Sequence, residues 1–152
     1  GPNEQLGYLL HSYQNHHPQG AALDFTVSEH PIRTPDSRRR ADRVIWTGLG
    51  RLPDPRRDPP TIAIEFVSAS KRDFQRDYLT KRDEYLRAGI REYWIIDRFR
   101  RRMTVVRGGA EPMTEIIVSE PETYSTPLLP GFVLPLARLL SVADALKAAE
   151  RR

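Results

Sequence analysis

A glutamate and a lysine occupy inward positions of two consecutive predicted elements, where charged groups tend to serve chemistry or to pair with each other. Residues 61–67 read TIAIEFV and alternate as a β-strand, which places Glu65 on one face together with Ala63 and Val67. An ionised carboxylate among such apolar neighbours needs a cationic partner or a metal ion. The helix that follows supplies a candidate cation, Lys81. The pair therefore predicts a buried site as well as a packing contact.

Residues 73–88 are predicted to form this helix, and Gly89 is its stop signal. The inward stripe consists of residues at helical spacing: Phe74, Tyr78, Lys81, Tyr85 and Ala88. The chain has 21 arginines and only three lysines, so a lysine on this stripe indicates that a compact ammonium is required there. Leu79 and Leu86 define a competing stripe, on which Lys81 would lie at the edge of the core.

Length and composition limit the class of protein. The 152 residues are expected to form one domain over residues 3–150, because Gly1 and Pro2 resemble the remnant of a cleaved tag. No stretch approaches the ~18 to 20 apolar residues of a membrane span, and no signal-peptide pattern opens the chain. The chain contains no cysteine, which excludes disulfides and cysteine-ligated zinc. A cytoplasmic protein without a membrane partner is therefore expected.

The elements that must position Glu65 and Lys81 follow from hydrophobic periodicity. Helices are predicted at residues 3–17, 73–88 and 141–149, and strands at residues 22–28, 42–46, 61–67, 93–96, 103–107 and 114–118. Turns or loops are predicted at residues 31–40, 51–60 and 98–102, and irregular structure at residues 124–140. This order predicts an α/β domain with a helix packed on the central strands. Tyr93 and Trp94 are expected in its core.

Several blocks of the chain share their order and spacing with a known family. They are, in chain order, ADRV at residues 41–44, IEFVSAS at 64–70, Asp77, Lys81, Tyr85, GI at 89–90, EYWIID at 92–97 and LPG at 129–131. In these blocks the chain resembles the Uma-two family of restriction-endonuclease-like proteins, a branch of the PD-(D/E)XK nuclease superfamily. The resemblance covers nearly the whole chain after the first helix and is most specific from Glu65 to Asp97.

The resemblance implies a mixed central β-sheet flanked by helices, divalent-metal chemistry and cleavage of phosphodiester bonds in nucleic acid, with DNA as the expected substrate. Asp42 and Glu65 would hold Mg²⁺ or Mn²⁺ together with the backbone carbonyl of Phe66, since these ions prefer oxygen ligands. Lys81 would orient or help to deprotonate the attacking water and stabilise the transition state. The expected catalytic residues are therefore Asp42, Glu65 and Lys81.

Two further helix residues would support this site. Asp77, one turn before Lys81, could hold the ammonium in position, and Tyr85, one turn after it, would shape the pocket wall. The chain departs from the superfamily pattern in two places. Ala41 stands where the motif has its proline, and no lysine follows Glu65 by two residues. The second departure is shared with the Uma-two family, whose helix offers the lysine instead.

Clusters of arginine could contact phosphate groups. If the domain handles nucleic acid, the cations next to Asp42 and Glu65 should flank the cleft: Arg38, Arg39, Arg40, Lys71, Arg72 and Arg76. The simpler interpretation is a solvated, arginine-rich surface. The four histidines lack ligand-like spacing and are expected at the surface. A homodimer is left open.

The same residues permit other interpretations. Glu65 and Lys81 can form a buried ion pair that only holds the helix to the sheet, and Asp77 can make an ordinary i,i+4 pair with Lys81. Asp42 can simply end the turn that follows the arginines. A nuclease-like module without catalytic activity would bind nucleic acid or a protein partner. A glycosidase with Asp42 and Glu65 as its acid and base would leave Lys81 without a role.

Overall fold

The computed structural model describes residues 1–34, 38–69, 75–109 and 112–151, except for the side chains of residues 75–77. Within these ranges the helices are α1 (Pro2–His16), α2 (Gln75–Arg87) and α3 (Leu136–Glu150), with a 3-10 turn at Gly20–Ala22. The strands are β1 (Leu23–Arg33), β2 (Arg38–Thr47), β3 (Ile62–Phe66), β4 (Glu92–Asp97), β5 (Arg102–Arg107), β6 (Thr114–Ser119), β7 (Thr123–Tyr124) and β8 (Leu134–Pro135). No helix of the described part is long and apolar enough to cross a membrane.

Six strands form one mixed sheet whose spatial order, β1 to β6, is the order of the chain. β3 and β4 run parallel, with α2 between them in the chain, and the other neighbouring pairs run antiparallel. Antiparallel strands can be joined by short turns, whereas a parallel pair needs a long crossover. β7 and β8 pair in a small separate sheet. The predicted α/β domain with a helix on the central strands is confirmed.

The two faces of the six-stranded sheet are covered by different helices. Leu10 of α1 and Leu139 of α3 share one core with Trp94 of β4. On the opposite face, Tyr85 of α2 shares a second core with Tyr93, and the two tyrosine rings meet edge to face at 5.1 Å. Tyr93 and Trp94 are both fully buried, as predicted, because adjacent strand residues point to opposite covered faces.

A proline lies at each end of α1. Pro2 occupies its first turn, where a missing backbone N–H is no loss. The buried residues recur at helical spacing: Leu6, Leu10 and Tyr13. The helix ends at His16 because Pro18 disfavours a helical conformation in His17, which is extended at φ −80° and ψ 140°.

The prediction that residues 31–40 form a turn is wrong at both ends. β1 extends to Arg33 and β2 begins at Arg38, and Pro31 lies opposite Arg40 in the ladder. Pro31 favours a strand end, but β1 is an edge strand, where an absent N–H can face outward. The arms of this hairpin extend beyond the part of β2 that pairs with β3.

The prediction that residues 124–140 are irregular holds for residues 125–133, but the prediction that the helix starts only at residue 141 is wrong. α3 already begins at Leu136, directly after Pro135 at its N-cap. The inward residues of α3 recur at i, i+3, i+4 and i+7: Leu136, Leu139, Leu140 and Ala143. This period is present in the sequence, but the three prolines of residues 124–140 favour irregular structure there. Proline is in fact compatible with a helix start.

A second buried carboxylate, which no local sequence pattern predicted, attaches the C-terminal segment to the sheet. Glu92 of β4 accepts hydrogen bonds from Trp94 Nε1 at 3.0 Å, Tyr124 Oη at 2.7 Å and Thr126 Oγ1 at 2.5 Å. Arg107 Nε lies 3.5 Å from the same carboxylate. Burial, and then the charge of Glu92, raise the pKa of the Tyr124 hydroxyl. Because Glu92 is satisfied in this way, we assign it to the fold.

The predicted basic turn between β4 and β5 is confirmed, and its arginines are used for folding. Arg100 donates a hydrogen bond to Asp97 at 3.1 Å. Arg101 donates two hydrogen bonds to Glu120 and two to Asp144, so this one guanidinium joins the turn to α3. These charge-assisted pairs leave the turn poorly suited to binding phosphate.

The predicted loop at residues 51–60 is also confirmed, and it is closed by one ion pair. Arg51 donates two hydrogen bonds to the Asp58 carboxylate, at 2.7 and 3.0 Å, and the Asp54 backbone N–H donates a third at 2.8 Å. These bonds, the one from Arg51 first, lower the pKa of Asp58 from 3.8 to about 2.

Because the folded-state pKa of Asp58 is the lower one, its contribution to loop stability is present above pH 3.8 and is lost as the pH falls through 2. Arg51→Gln should raise the pKa of Asp58, though not fully to 3.8, since the Asp54 N–H bond remains. NMR titration of the side-chain carboxyl carbon measures this directly. Arg57→Gln is the control and should shift the value less; an unchanged pKa in Arg51→Gln would refute the assignment.

Candidate functional site

Glu65 is the centre of the candidate site. It lies in β3 and is only 2% exposed, on the face that it shares with Ala63, as the alternation of the strand predicted. Its Oε1 accepts hydrogen bonds from Lys81 Nζ at 3.3 Å and from Tyr85 Oη at 3.2 Å. A charge this deeply buried is tolerated only with such partners.

α2 positions both donors through its helical period. Lys81 is 6% exposed and Tyr85 is fully buried one turn later, so both point from α2 toward β3. The ammonium also lies 5.9 Å from the ring centre of Tyr78, a cation–π distance. Leu79 is 50% exposed, so the competing stripe is wrong and Lys81 is inward. Gly89, with a φ of 98°, supplies the predicted stop just after the helix.

Asp42 stands next to Glu65 on the neighbouring strand. The last paired residues of β2 and β3 in this direction are Arg43 and Ile64, and Asp42 and Glu65 are the next residues on each strand. The backbone N–H of Phe66 donates to Asp42 Oδ2 at 2.7 Å. The carboxylate of Asp42 therefore takes the place of a backbone acceptor where the ladder ends, beside the peptide that follows Glu65.

The first turn of α1 holds the backbone of Asp42 from the opposite face of the sheet. Asn3 Nδ2 donates to the Asp42 carbonyl at 2.8 Å, and Asn3 Oδ1 accepts from Arg43 Nε at 2.7 Å. Arg43 also donates to Thr26 Oγ1 at 3.1 Å, and burial lowers the pKa of its guanidinium. A Cβ at Gly7 would lie 2.8 Å from Arg43 Nη2, so the glycine makes room for it. Sequence reasoning missed Asn3 and Arg43, because no local pattern joins residues this far apart.

The electrostatics of the site keep Tyr85 a hydrogen-bond donor. Burial first, and then the charge of Glu65 and its hydrogen bond, raise the pKa of Tyr85 well above its ordinary value. The charge of Asp42 acts in the same direction, and that of Arg39 acts in the opposite direction. Tyr85 is consequently protonated at neutral pH. It forms the wall of the site, as expected, and also contacts the buried carboxylate directly.

The cations predicted around the site differ in whether they are paired or exposed. Arg39 donates to both Glu84 oxygens, at 2.7 and 3.1 Å, which ties the β1–β2 hairpin to α2. Arg38 and Arg40 are exposed. Two of the predicted phosphate contacts lie outside the described residues: Lys71 and Arg72. Two further predicted residues lie in α2, with side chains outside the description: Arg76 and Asp77.

The donor set suits a hard divalent cation. Asp42 and Glu65 supply carboxylate oxygens and the peptide of Phe66 a carbonyl, the ligand type that Mg²⁺ prefers alongside water. In the described part of the chain, no three His, Cys, Asp or Glu side chains cluster as a metal site, so a site made by side chains alone is not seen there. Two carboxylates and a backbone oxygen are nevertheless compatible with an ion that usually keeps several waters.

An apolar cleft of about 200 Å³ lies elsewhere, where Phe66 and Ile96 face Leu139 and Leu140 of α3. These residues belong to or pack against the core beneath α1 and α3. Neither Glu65 nor Lys81 lines the cleft, so it is separate from the candidate site on the α2 face.

The mixed six-stranded sheet, its α2 crossover and the helices on both faces define a restriction-endonuclease-like fold. A family model, Uma2, described as "Putative restriction endonuclease", matches residues 2–137, and the chain belongs to this family. The predicted resemblance is thereby confirmed, and the chain is a nuclease-like domain.

A solved structure shares this fold. It is the crystal structure of "a putative nuclease belonging to DUF820 from Anabaena variabilis", which aligns with a TM-score of 0.68 over 92% of this chain and 78% of that chain. The two sequences are 15% identical, so the similarity establishes the fold alone. A comparison with curated proteins found no match.

The buried pair yields a stability prediction. Lys81→Met should remove the ammonium that pairs with the buried Glu65 carboxylate and lower the free energy of unfolding by about 3–5 kcal/mol. The double variant Glu65→Gln/Lys81→Met removes both charges and should recover most of this loss. Urea denaturation followed by circular dichroism measures all three proteins. Leu79→Ala, on an exposed position of the same helix, should change stability by no more than about 0.5 kcal/mol. A fully stable Lys81→Met would contradict the ion pair.

Proposed function

We propose that this domain is a Mg²⁺- or Mn²⁺-dependent endonuclease that hydrolyses phosphodiester bonds in DNA. The observation that carries the proposal is that Lys81 bonds to the Glu65 carboxylate while the Asp42 carboxylate accepts a bond from the next backbone N–H, that of Phe66. If Asp42 and Glu65 continue the register of the Arg43–Ile64 pair, their Cβ atoms would be about 5 Å apart, and both carboxylates could then reach one cation. Membership in a family described as restriction endonuclease supports the same chemistry.

Each residue of the site would have its own role in the reaction. Asp42, Glu65 and the Phe66 carbonyl would hold the ion. The bound ion would supply Lewis acidity toward the phosphate and lower the pKa of attacking water. Asp42 is oriented by the Phe66 N–H, and Glu65 by Tyr85, so neither carboxylate has to be ordered when the ion arrives.

Lys81 would change partners on binding. In the structure its ammonium neutralises Glu65 from 3.3 Å. A divalent cation on Glu65 would take over this role, and the ammonium would then be available to orient the attacking water and to stabilise charge on the phosphate oxygens. Tyr85 stays protonated and keeps its hydrogen bond to Glu65. We further propose Asp77 as the residue that steadies Lys81 from one helical turn away.

The substrate would be held by cations around this site. We propose Arg38 and Arg40 on the hairpin, and Lys71, Arg72 and Arg76 around the start of α2, as contacts to the phosphate backbone. Arg39 would act indirectly, because its bidentate bond to Glu84 holds the hairpin against α2. A DNA substrate would place the activity in the cytoplasm. A homodimer, in which two sites would act on the two strands of a duplex, stays a prediction.

One observation favours a second candidate function. The direct contact of Lys81 with Glu65 is also what a purely structural ion pair would show. In that case the domain would be a catalytically inactive, nuclease-like module that binds nucleic acid or a protein partner. The two functions differ in whether Glu65 binds a metal ion.

Glu65→Gln should abolish metal-dependent cleavage of DNA while keeping the fold, because the amide preserves the shape but removes the charge that holds the ion. Asp42→Asn should do the same. Calorimetric titration with Mg²⁺ and Mn²⁺ should show binding to the wild type and its loss in both variants. Cleavage of plasmid DNA is measured in parallel, and thermal melts report whether each variant is folded.

The matched control is Asp83→Asn, which removes an exposed carboxylate of α2 and should leave metal binding and cleavage unchanged. Cleavage that persists in Glu65→Gln would disprove the catalytic assignment. A wild-type protein that binds DNA but takes up neither ion would establish the inactive module instead.

A further inference from the structure

A basic groove lies between the β1–β2 hairpin and the loop at residues 51–60, and none of the residues assigned to the metal ion is among its described lining residues. It has a volume of about 240 Å³. Its lining combines three arginines with a histidine, two prolines and one buried apolar side chain: His30, Pro31, Ile32, Arg33, Arg38, Pro55 and Arg56. Among the residues that the structure describes, no acidic side chain lines it. A concave surface with three guanidinium groups attracts anions.

The arginines of this groove differ from those that hold the fold together. Arg51 and Arg101 are engaged by carboxylates at 3.1 Å or less. Among the described residues, by contrast, no carboxylate forms an ion pair with Arg33, Arg38 or Arg56, and all three are exposed. Their charge is therefore available to a ligand.

Both walls of the groove are held in place by contacts outside it. The hairpin wall is tied to α2 by the two bonds from Arg39 to Glu84. The loop wall is closed by the ion pair of Asp58, whose carbonyl also accepts a hydrogen bond from Trp46 Nε1 at 2.9 Å. His30, expected at the surface, is half-buried and packs edge to face on Trp46 at 5.1 Å. A groove with fixed walls loses little conformational freedom on binding.

The distance from the groove to the candidate site can be compared with the spacing of phosphates in DNA. Arg38 precedes Asp42 by four residues in the extended strand β2, which at ~3.3 Å per residue corresponds to about 13 Å along the strand. Phosphates of one strand advance by about 3.4 Å per nucleotide along the axis of a duplex and are farther apart along the backbone. A duplex with its scissile phosphate at Asp42 could thus present to Arg38 a phosphate up to about four nucleotides away.

We infer that the groove lined by His30, Arg33, Arg38 and Arg56 binds the phosphodiester backbone of duplex DNA a few nucleotides from the cleaved bond. This assignment rests on the proposed nuclease function for its substrate. Guanidinium groups bind phosphate oxygens in bidentate geometry, and three of them converge here. The groove would position the duplex without reading its sequence, since backbone contacts fix register but not base identity.

The test measures DNA binding separately from cleavage. Fluorescence anisotropy with a labelled duplex is recorded at several salt concentrations, with a chelator present so that no metal-dependent hydrolysis occurs. Each phosphate contact contributes about 0.9 to the slope of log K against log salt. Arg38→Ala/Arg56→Ala should therefore lower the magnitude of the slope by up to about 1.8 units. The matched control is Arg138→Ala/Arg151→Ala, two exposed arginines elsewhere, and should keep the wild-type slope.

An unchanged slope in Arg38→Ala/Arg56→Ala, or an equal loss in the control, would overturn the assignment. Titration with inorganic tripolyphosphate distinguishes a second source of the same ligand chemistry. If the groove variant loses tripolyphosphate but keeps its affinity for DNA, the groove serves a free polyphosphate and the DNA assignment is wrong. A lowered slope in a protein that lacks metal-dependent cleavage would support the groove and refute only the nuclease proposal.

Discussion

The negative charge of Glu65 in the interior of the protein is the constraint on which the rest of the site depends. A carboxylate that is 2% exposed costs several kcal/mol of desolvation unless cations and hydrogen-bond donors surround it. α2 has to lie over β3 for Lys81 and Tyr85 to reach it, and this helix is also the crossover between the parallel strands β3 and β4. One buried charge thus links the topology of the sheet to its chemistry.

Local periodicity in the sequence predicted one part of this arrangement. Alternation in residues 61–67 placed Glu65 inward, and helical spacing placed Lys81 and Tyr85 on one stripe. The wrong strand and helix boundaries both involve proline. Pro31 favours a strand end but lies inside β1, and Pro135 favours irregular structure but directly precedes α3. A proline disrupts an element only where its missing N–H would have had a hydrogen-bond partner. At the edge of a sheet or in the first turn of a helix it has none, so proline is tolerated there.

What could not be predicted rests on contacts between distant segments. The bonds of Asn3 to the Asp42 carbonyl and to Arg43 join α1 to β2 across roughly forty residues of sequence. The bonds from Tyr124 and Thr126 to Glu92 do the same for the C-terminal segment. Composition also does not indicate which arginines stabilise the fold. The sequence does not distinguish a guanidinium in an ion pair from one that faces an open groove.

The order of the strands has a consequence for how the chain folds. Every neighbour in the six-stranded sheet is also the next strand in sequence, so apart from the α2 crossover between β3 and β4 the sheet can grow by short-range steps. Low sequence separation between contacting residues is associated with fast folding. The packing of α1 against α3 joins the two ends of the chain and carries the largest loop-closure cost. We therefore expect the α2 face, with its buried charge, to form before the helical layer on the other face closes.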